Sequence, residues 1–163
     1  MRAKVPVLGM LTALSLILSY LETLIPVPFP VPGMKLGLSN LTVVFLLYRY
    51  GAKEALLVNL VRILLSGFLF GSVSAILFSL SGAACAFAGM AWCKRSGRFG
   101  VSGTSMTGGV LHNAGQLVVA AWMVQTYRIL YFVAPLIASG VITGFVIGIL
   151  AGRLLSLLPS HDA

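Results

Sequence analysis

Acidic residues are almost absent from this chain, which has three of them, Glu22, Glu54 and Asp162, against eleven lysines and arginines. Only 9% of its 163 residues are charged and 59% are hydrophobic, and the mean hydropathy is +1.04. A soluble domain of this length needs far more polar side chains to cover its surface. The composition therefore predicts an integral membrane protein.

The shortage of acids also excludes several kinds of active site. Asp162 is the only aspartate and lies in the C-terminal tail, so the aspartate-rich magnesium site of a prenyl transferase cannot form. Glu22 and Glu54 fall at opposite ends of their helices relative to the membrane, which excludes a carboxylate pair. No GxxxxGK[ST] loop is present for ATP. We expect no catalytic residues.

Cofactor, metal and nucleic-acid sites are equally unsupported. Cys85 and Cys93 share one apolar run, so neither a disulfide framework nor a metal site is indicated. His112 has no carboxylate, cysteine or second histidine on its helix face, and His161 lies in the tail. The basic residues lie between apolar runs and are not interleaved with aromatic residues, a pattern typical of membrane orientation rather than nucleic-acid binding.

Long apolar runs predict an all-α fold with six transmembrane helices in one membrane domain over residues 1–163. A bilayer core of about 30 Å needs roughly 20 apolar residues per helix. The first run resembles a signal peptide, but it has full spanning length and no small-residue cleavage site. The six predicted helices are Val5–Ile25, Leu36–Tyr50, Lys53–Phe70, Ser72–Cys93, Val101–Thr126 and Ile129–Leu158.

The basic residues predict that both termini are cytoplasmic. With the N-terminus inside, eight of them lie at inner helix ends, and Lys35 and Arg128 alone lie at outer ends. The inner set is Arg2, Lys4, Arg49, Lys53, Lys94, Arg95, Arg98 and Arg153.

Between the first two helices, prolines occupy every second position from Pro26 to Pro32. Each proline removes an amide donor and forces the preceding residue toward extended geometry. The residues between them are apolar, which a solvated loop does not need. We interpret residues 25–32 as a stiff strap over a hydrophobic cavity, the alternative being a rigid connector.

Polar residues inside the apolar runs form the candidate binding site, because such residues are costly in a membrane and usually face a cavity or a partner. Asn59, Arg62 and Ser66 share one face of the third helix, and His112, Asn113 and Gln116 point in overlapping directions on the fifth. We expect an outward-facing substrate site beneath the strap, formed by Glu22, Lys35, Asn40, Asn59, Arg62, His112, Asn113 and Gln116.

Two alternatives stay open for these residues. Arg62 can be a structural ion pair with Glu22, and the polar residues of the fifth helix can simply hydrogen-bond neighbouring helices.

Small residues predict close helix contacts. Glycines recur every fourth residue from Gly140 to Gly152 on the last helix, and Gly67 and Gly71 repeat this spacing. Gly9 and Ala13 have the same spacing near the cytoplasmic end of the first helix, where they can serve either packing within the monomer or docking of a partner.

Three stretches carry a resemblance to a known family: LETLIPVPFPVPGMKLGLSN, KEALLVNLVRILLSGFLFG and VLHNAGQLVVA. The chain resembles the Gx transporter family, also called heptaprenyl diphosphate synthase component I, which is similar to the substrate-binding S components of energy-coupling factor (ECF) transporters. The resemblance implies a six-helix S-component bundle in the bacterial cell membrane with an outward-facing site. It also implies docking of Gly9 and Ala13 to a transmembrane coupling protein (T component) that carries two ATPase subunits. S components commonly have Ala-xxx-Ala where this chain has Gly9-xxx-Ala13.

Three functional hypotheses follow. The first is an S component that captures a small vitamin-like or hydrophobic anionic molecule. The second is a non-catalytic membrane subunit associated with an enzyme of prenyl diphosphate or quinone biosynthesis. The third is a self-contained channel or facilitator. A co-purifying small molecule favours the first hypothesis, and a stably associated synthase favours the second.

Overall fold

The structure, a computed structural model, describes residues 4–25, 37–125 and 127–158. Over these residues the chain forms six α-helices and no strand, which confirms the all-α prediction. The helices are α1 (Lys4–Leu24), α2 (Asn40–Arg49), α3 (Ala52–Phe70), α4 (Val73–Ser96), α5 (Val101–Val124) and α6 (Val133–Leu157), and a 3₁₀ helix (Tyr127–Phe132) precedes α6.

Three of these helices, α1, α4 and α6, are long and apolar enough to cross a membrane. The 19-residue helix α3 is long enough, but it carries Lys53, Glu54 and Arg62. Helix α2 has only ten residues, about 15 Å of helix against a bilayer core of about 30 Å. The described helices thus support a membrane protein with three clear spans, and the six predicted spans stay a prediction.

Helix α2 lies in the centre of the bundle. Near its start, Thr42 lies 2.8 Å from Ser15 of α1, and near its end the Tyr48 hydroxyl lies 2.7 Å from Thr104 of α5. Seven of its residues are buried, among them Val43, Val44, Leu46 and Leu47, and these join α3, α4 and α6 in one core cluster. A helix covered on all sides by other helices does not need to span the membrane itself.

Glycines bring α4, α5 and α6 into backbone contact. A Cβ atom built on Gly144 of α6 would lie 2.7 Å from the Met106 Cα of α5, and one on Gly148 would lie 2.5 Å from the Ser102 Cα. The same holds between α4 and α5, where a Cβ on Gly115 would lie 2.7 Å from the Ser81 carbonyl oxygen. The glycine spacing on α6 therefore serves packing against α5 as far as Gly148, whereas Gly152 has no atom within 4 Å.

Two predicted helix starts were wrong. The last helix was predicted from Ile129, but residues 127–132 form the 3₁₀ helix and α6 begins at Val133. Pro135 has no N–H to donate to the carbonyl of Tyr131, so a continuous α-helix through this point would lose a hydrogen bond, and proline is accepted in the first turn instead. The second helix was predicted from Leu36, but it begins at Asn40 because Gly37 has a φ of 86°, outside the helical region.

The proline-rich stretch lies outside the described residues. Positions 26–36, including Lys35, therefore add nothing to the fold as described, and the strap over the cavity stays a prediction.

Candidate functional site

Helix α1 turns a polar stripe toward the protein. Ser15, Ser19 and Glu22 follow one another at intervals of four and three residues, and their exposed fractions are 0%, 0% and 6%. Most of the large apolar side chains of the same helix, such as Met10 and Ile17, are exposed. The sequence analysis identified Glu22 as a site residue and missed the two serines, although their helical spacing from Glu22 indicated that they share its face.

Glu22 anchors the entry into α2. Its Oε1 atom accepts a hydrogen bond from the backbone N–H of Gly37, and the side chain of Asn40 packs directly against this glycine. The carboxylate of α1 is thus tied to the residue that follows the proline-rich stretch. Asn40, predicted as a site residue, lies one turn from this bond and is buried.

Arg62 is the central cation of the site. Its side chain is 3% exposed, its Nη2 donates to Asn59 Oδ1, and its Nη1 lies 3.5 Å from Ser19 Oγ. It also interacts electrostatically with Glu22. Its Nε has no hydrogen-bond partner. We call Ser15, Ser19, Glu22, Asn59 and Arg62 the α1–α3 seam.

Ser66 continues the polar face of α3 without joining the seam. It is buried, and its hydroxyl donates to the carbonyl of Ile63 in its own helix at 3.2 Å.

The seam suits binding better than group transfer. A buried guanidinium with an unused N–H can donate a charge-assisted hydrogen bond to an anionic group. The seam holds no cysteine or histidine nucleophile. Across the described residues no three His, Cys, Asp or Glu side chains stand close enough to hold a metal ion.

His112 and Gln116 lie on α5, beside α4. Gln116 Nε2 lies 3.1 Å from His112 Nε2, within hydrogen-bond distance. The ring rests on Gly82 of α4, where an added Cβ would lie 2.9 Å from it. Gln116 is fully buried and its Oε1 has no hydrogen-bond partner.

Asn113 faces a different neighbour. Its Nδ2 donates to the carbonyl of Leu136 at 2.8 Å and to Ser139 Oγ at 3.1 Å, both on α6. This is the helix-to-helix hydrogen bonding that the sequence left open as an alternative.

The structure therefore groups the predicted site residues into two sets. Glu22, Asn59 and Arg62 meet in the seam, with Asn40 beside them. His112, Asn113 and Gln116 lie on α5, which does not pack against α3 within the described part of the chain. Lys35 lies outside the described residues.

A cavity of about 390 Å³ lies apart from the seam, between α5 and α6. Val110, Leu117, Val133 and Ile137 are among its apolar walls, and Asn113 is its polar residue. This cavity is an apolar groove, whereas the buried ionisable groups Glu22 and Arg62 lie in the seam. We therefore place the candidate site at the seam.

Gly9 and Ala13, predicted to dock a partner, are both exposed on α1. A Cβ built on Gly9 would have no atom within 4 Å. The described residues therefore do not use this small-residue face for packing within the chain.

Comparison with known proteins gives one match. No curated protein and no solved structure matches the chain. The family described as heptaprenyl diphosphate synthase component I matches residues 11–154, a range that includes the seam, α2 and the glycine contacts of α4, α5 and α6. The chain belongs to this family, heptaprenyl diphosphate synthase component I.

Proposed function

We propose that this chain is a non-catalytic membrane protein that binds a small anionic molecule with an apolar body at the α1–α3 seam. The observation that carries the proposal is Arg62, a buried guanidinium whose Nε has no hydrogen-bond partner. A charged group in a membrane helix is costly and is usually retained for a partner or a function. Glu22 and Asn59 hold this cation in place, and the free N–H is left for a ligand.

The family description favours a prenyl diphosphate synthase as the partner. We propose that the chain is the membrane component of such an enzyme and that another subunit performs the chemistry, because the only aspartate of this chain lies in its tail. A prenyl diphosphate has the expected properties of the ligand, since its diphosphate is anionic and its chain is apolar.

A second candidate function is the S component of an ECF-type transporter. The specific observation in its favour is the exposed pair Gly9 and Ala13 on α1, which leaves a surface for close backbone approach. In this alternative a T component with two ATPase subunits docks there, the six helices all cross the bacterial inner membrane, and both termini are cytoplasmic. The substrate is then a vitamin-like or hydrophobic anion.

The test is purification of the full-length protein from its own membranes, followed by mass spectrometry of the retained small molecules and proteins. Arg62→Met is compared with wild type and with Arg128→Met, which removes an exposed arginine of the 3₁₀ helix. We expect wild type and Arg128→Met to retain an anionic molecule that Arg62→Met loses. Equal retention by all three proteins would exclude Arg62 from the site.

The retained proteins decide between the two partners. A synthase subunit that stays bound to both wild type and Gly9→Leu supports the first candidate. ATPase and coupling subunits that are present with wild type and absent from Gly9→Leu and Ala13→Leu support the second. If these two variants unfold, the exposed face is required for the fold and the docking proposal is wrong.

A further inference from the structure

Positive charge is concentrated at one end of the bundle, which we call the basic end. It contains the ends of α2, α4 and α6 and the starts of α3 and α5. Lys94 Nζ of α4 donates to the Leu47 carbonyl of α2, and Gly148 of α6 packs on Ser102 of α5. Among the residues whose side chains the structure describes, this end carries one acid, Glu54, and six basic side chains, a net charge of +5: Arg49, Lys53, Lys94, Arg95, Arg98 and Arg153.

Two of these basic side chains lie unengaged in residues 92–99, the last turn of α4 and the start of its connection to α5, which we call the α4–α5 turn. Arg95 and Arg98 are both exposed, and within the described part of the chain neither side chain has a hydrogen bond or ion pair. Lys94 differs, because it is bound to the Leu47 carbonyl and its Nζ lies 5.3 Å from the centroid of the Tyr48 ring. The turn thus presents two guanidinium groups outward, while the adjacent ammonium group stabilises the end of α2.

Two aromatic side chains flank the same turn. Trp92 is 65% exposed and Phe99 is 41% exposed, and their ring centroids are 6.2 Å apart. Trp92 lies one turn before the end of α4, which is one of the candidate membrane spans. Tryptophan is enriched at the boundary between lipid and water. Arginine binds phosphate in a bidentate manner. The exposed guanidinium groups therefore match a phospholipid headgroup in charge, and the exposed indole, one helical turn deeper, matches the upper acyl region in depth.

We propose that the α4–α5 turn, residues 92–99, binds the headgroup of an anionic membrane phospholipid. Arg95 and Arg98 contact the phosphate, and Trp92 and Phe99 pack beside the glycerol and the first methylene groups. The site is separate from the α1–α3 seam, so this proposal does not depend on the proposed function.

The two tryptophans of the chain allow a direct test. In Trp122→Phe protein, Trp92 is the remaining tryptophan, and its fluorescence is quenched by brominated lipids that lie next to it. The protein is reconstituted into phosphatidylcholine vesicles that contain either brominated phosphatidylglycerol or the same amount of brominated phosphatidylcholine. We expect stronger quenching by the anionic lipid. Each arginine near an anionic surface contributes about a fivefold preference, so Arg95→Gln/Arg98→Gln should reduce the preference by about 25-fold at most.

Two matched variants separate the turn from the general charge of the protein. Arg128→Gln, outside the basic end, and Arg153→Gln, at the basic end but on α6, should both keep the preference. If Arg153→Gln reduces the preference for phosphatidylglycerol as much as Arg95→Gln/Arg98→Gln does, the whole basic end attracts anionic lipid and the proposed site is wrong.

Other outcomes also overturn the proposal. Equal quenching by both lipids would show that the turn has no preference for anionic lipid. If an acidic soluble protein then bound the parent protein but not the double variant, the surface would be assigned to a protein partner instead. Salt gives a measurement that does not need the double variant, because added salt should weaken the preference of the parent protein for phosphatidylglycerol. A preference that is insensitive to salt contradicts a phosphate–arginine contact.

Discussion

Between α4, α5 and α6, glycines bring helix backbones into direct contact, whereas α1 and α3 meet through buried polar and charged side chains. A Cβ on Gly109 would lie 2.3 Å from the Gly140 carbonyl oxygen, so no side chain fits there. In the α1–α3 seam, Arg62, Asn59 and Glu22 fill the interface, and Arg62 Nε has no partner. In the absence of a hydrophobic driving force between helices in lipid, packing of small residues is a direct source of stability. The glycine contacts therefore indicate a scaffold, and the seam indicates a site that gives up some stability for binding.

The largest expected effect is in the seam. Arg62→Met should lower the free energy of unfolding by about 3–5 kcal/mol, because it removes one partner of a buried charge pair and leaves Glu22 without the nearby guanidinium. Arg62→Met/Glu22→Gln should recover at least half of this loss. Thermal unfolding of wild type, both single variants and the double variant in detergent measures these changes. No recovery in the double variant would show that Arg62 and Glu22 are not coupled.

The glycine contacts should give the next largest effect. Gly144→Leu should destabilise the protein by about 2–3 kcal/mol, because the new side chain meets backbone atoms of Ser105 and Met106 that cannot rotate away. Gly152→Leu is the matched control on the same helix, since a Cβ there would have no atom within 4 Å. Size-exclusion profiles and melting temperatures in detergent compare the two variants. Similar melting temperatures would contradict the close contact between α5 and α6.

A smaller effect is expected where α1 meets α2. Ser15 and Thr42 lie 2.8 Å apart and both are buried. The Thr42 hydroxyl also donates to the Ser39 carbonyl at 2.8 Å, so it keeps an acceptor when the Ser15 hydroxyl is removed. Ser15→Ala should therefore cost about 1 kcal/mol. Ser156→Ala, which removes an exposed hydroxyl bonded within its own helix, should be neutral in the same thermal assay.

The sequence predicted the helices better than the site, for physical reasons. An apolar run identifies a helix wherever it packs, so all six predicted helices began within four residues of their observed starts, even though α2 is too short to span a membrane. Which polar residues meet depends on helix rotation and neighbours. Asn113 and Gln116 are three residues apart and were grouped together, yet Asn113 bonds to α6 while Gln116 bonds to His112 beside α4. The serines of α1 are small and common in apolar helices, so only their spacing with Glu22 distinguished them.

The smallest effect is expected at Asn113, the main polar contact between α5 and α6. The carbonyl of Leu136 accepts from Asn113 at 2.8 Å and also from the Ser139 hydroxyl at 3.0 Å. Asn113→Leu removes the first donor and leaves the second, so the acceptor stays paired. Hydrogen bonds between membrane helices contribute about 0.6 kcal/mol on average, and the new side chain gains apolar contacts in the groove between α5 and α6. We therefore expect a loss of about 0.6 kcal/mol or less.

Ser139→Ala provides the complementary change, because Asn113 then remains the side-chain donor to Leu136. Asn113→Leu/Ser139→Ala removes both donors, so its cost should exceed the sum of the two single costs, and a double-mutant cycle by thermal unfolding measures the difference. Additive costs would mean that the two donors do not share the carbonyl. A loss of several kcal/mol in Asn113→Leu alone would show that the contact between α5 and α6 depends on a polar side chain, as the contact between α1 and α3 does. It would contradict the conclusion that glycine packing holds α5 and α6 together.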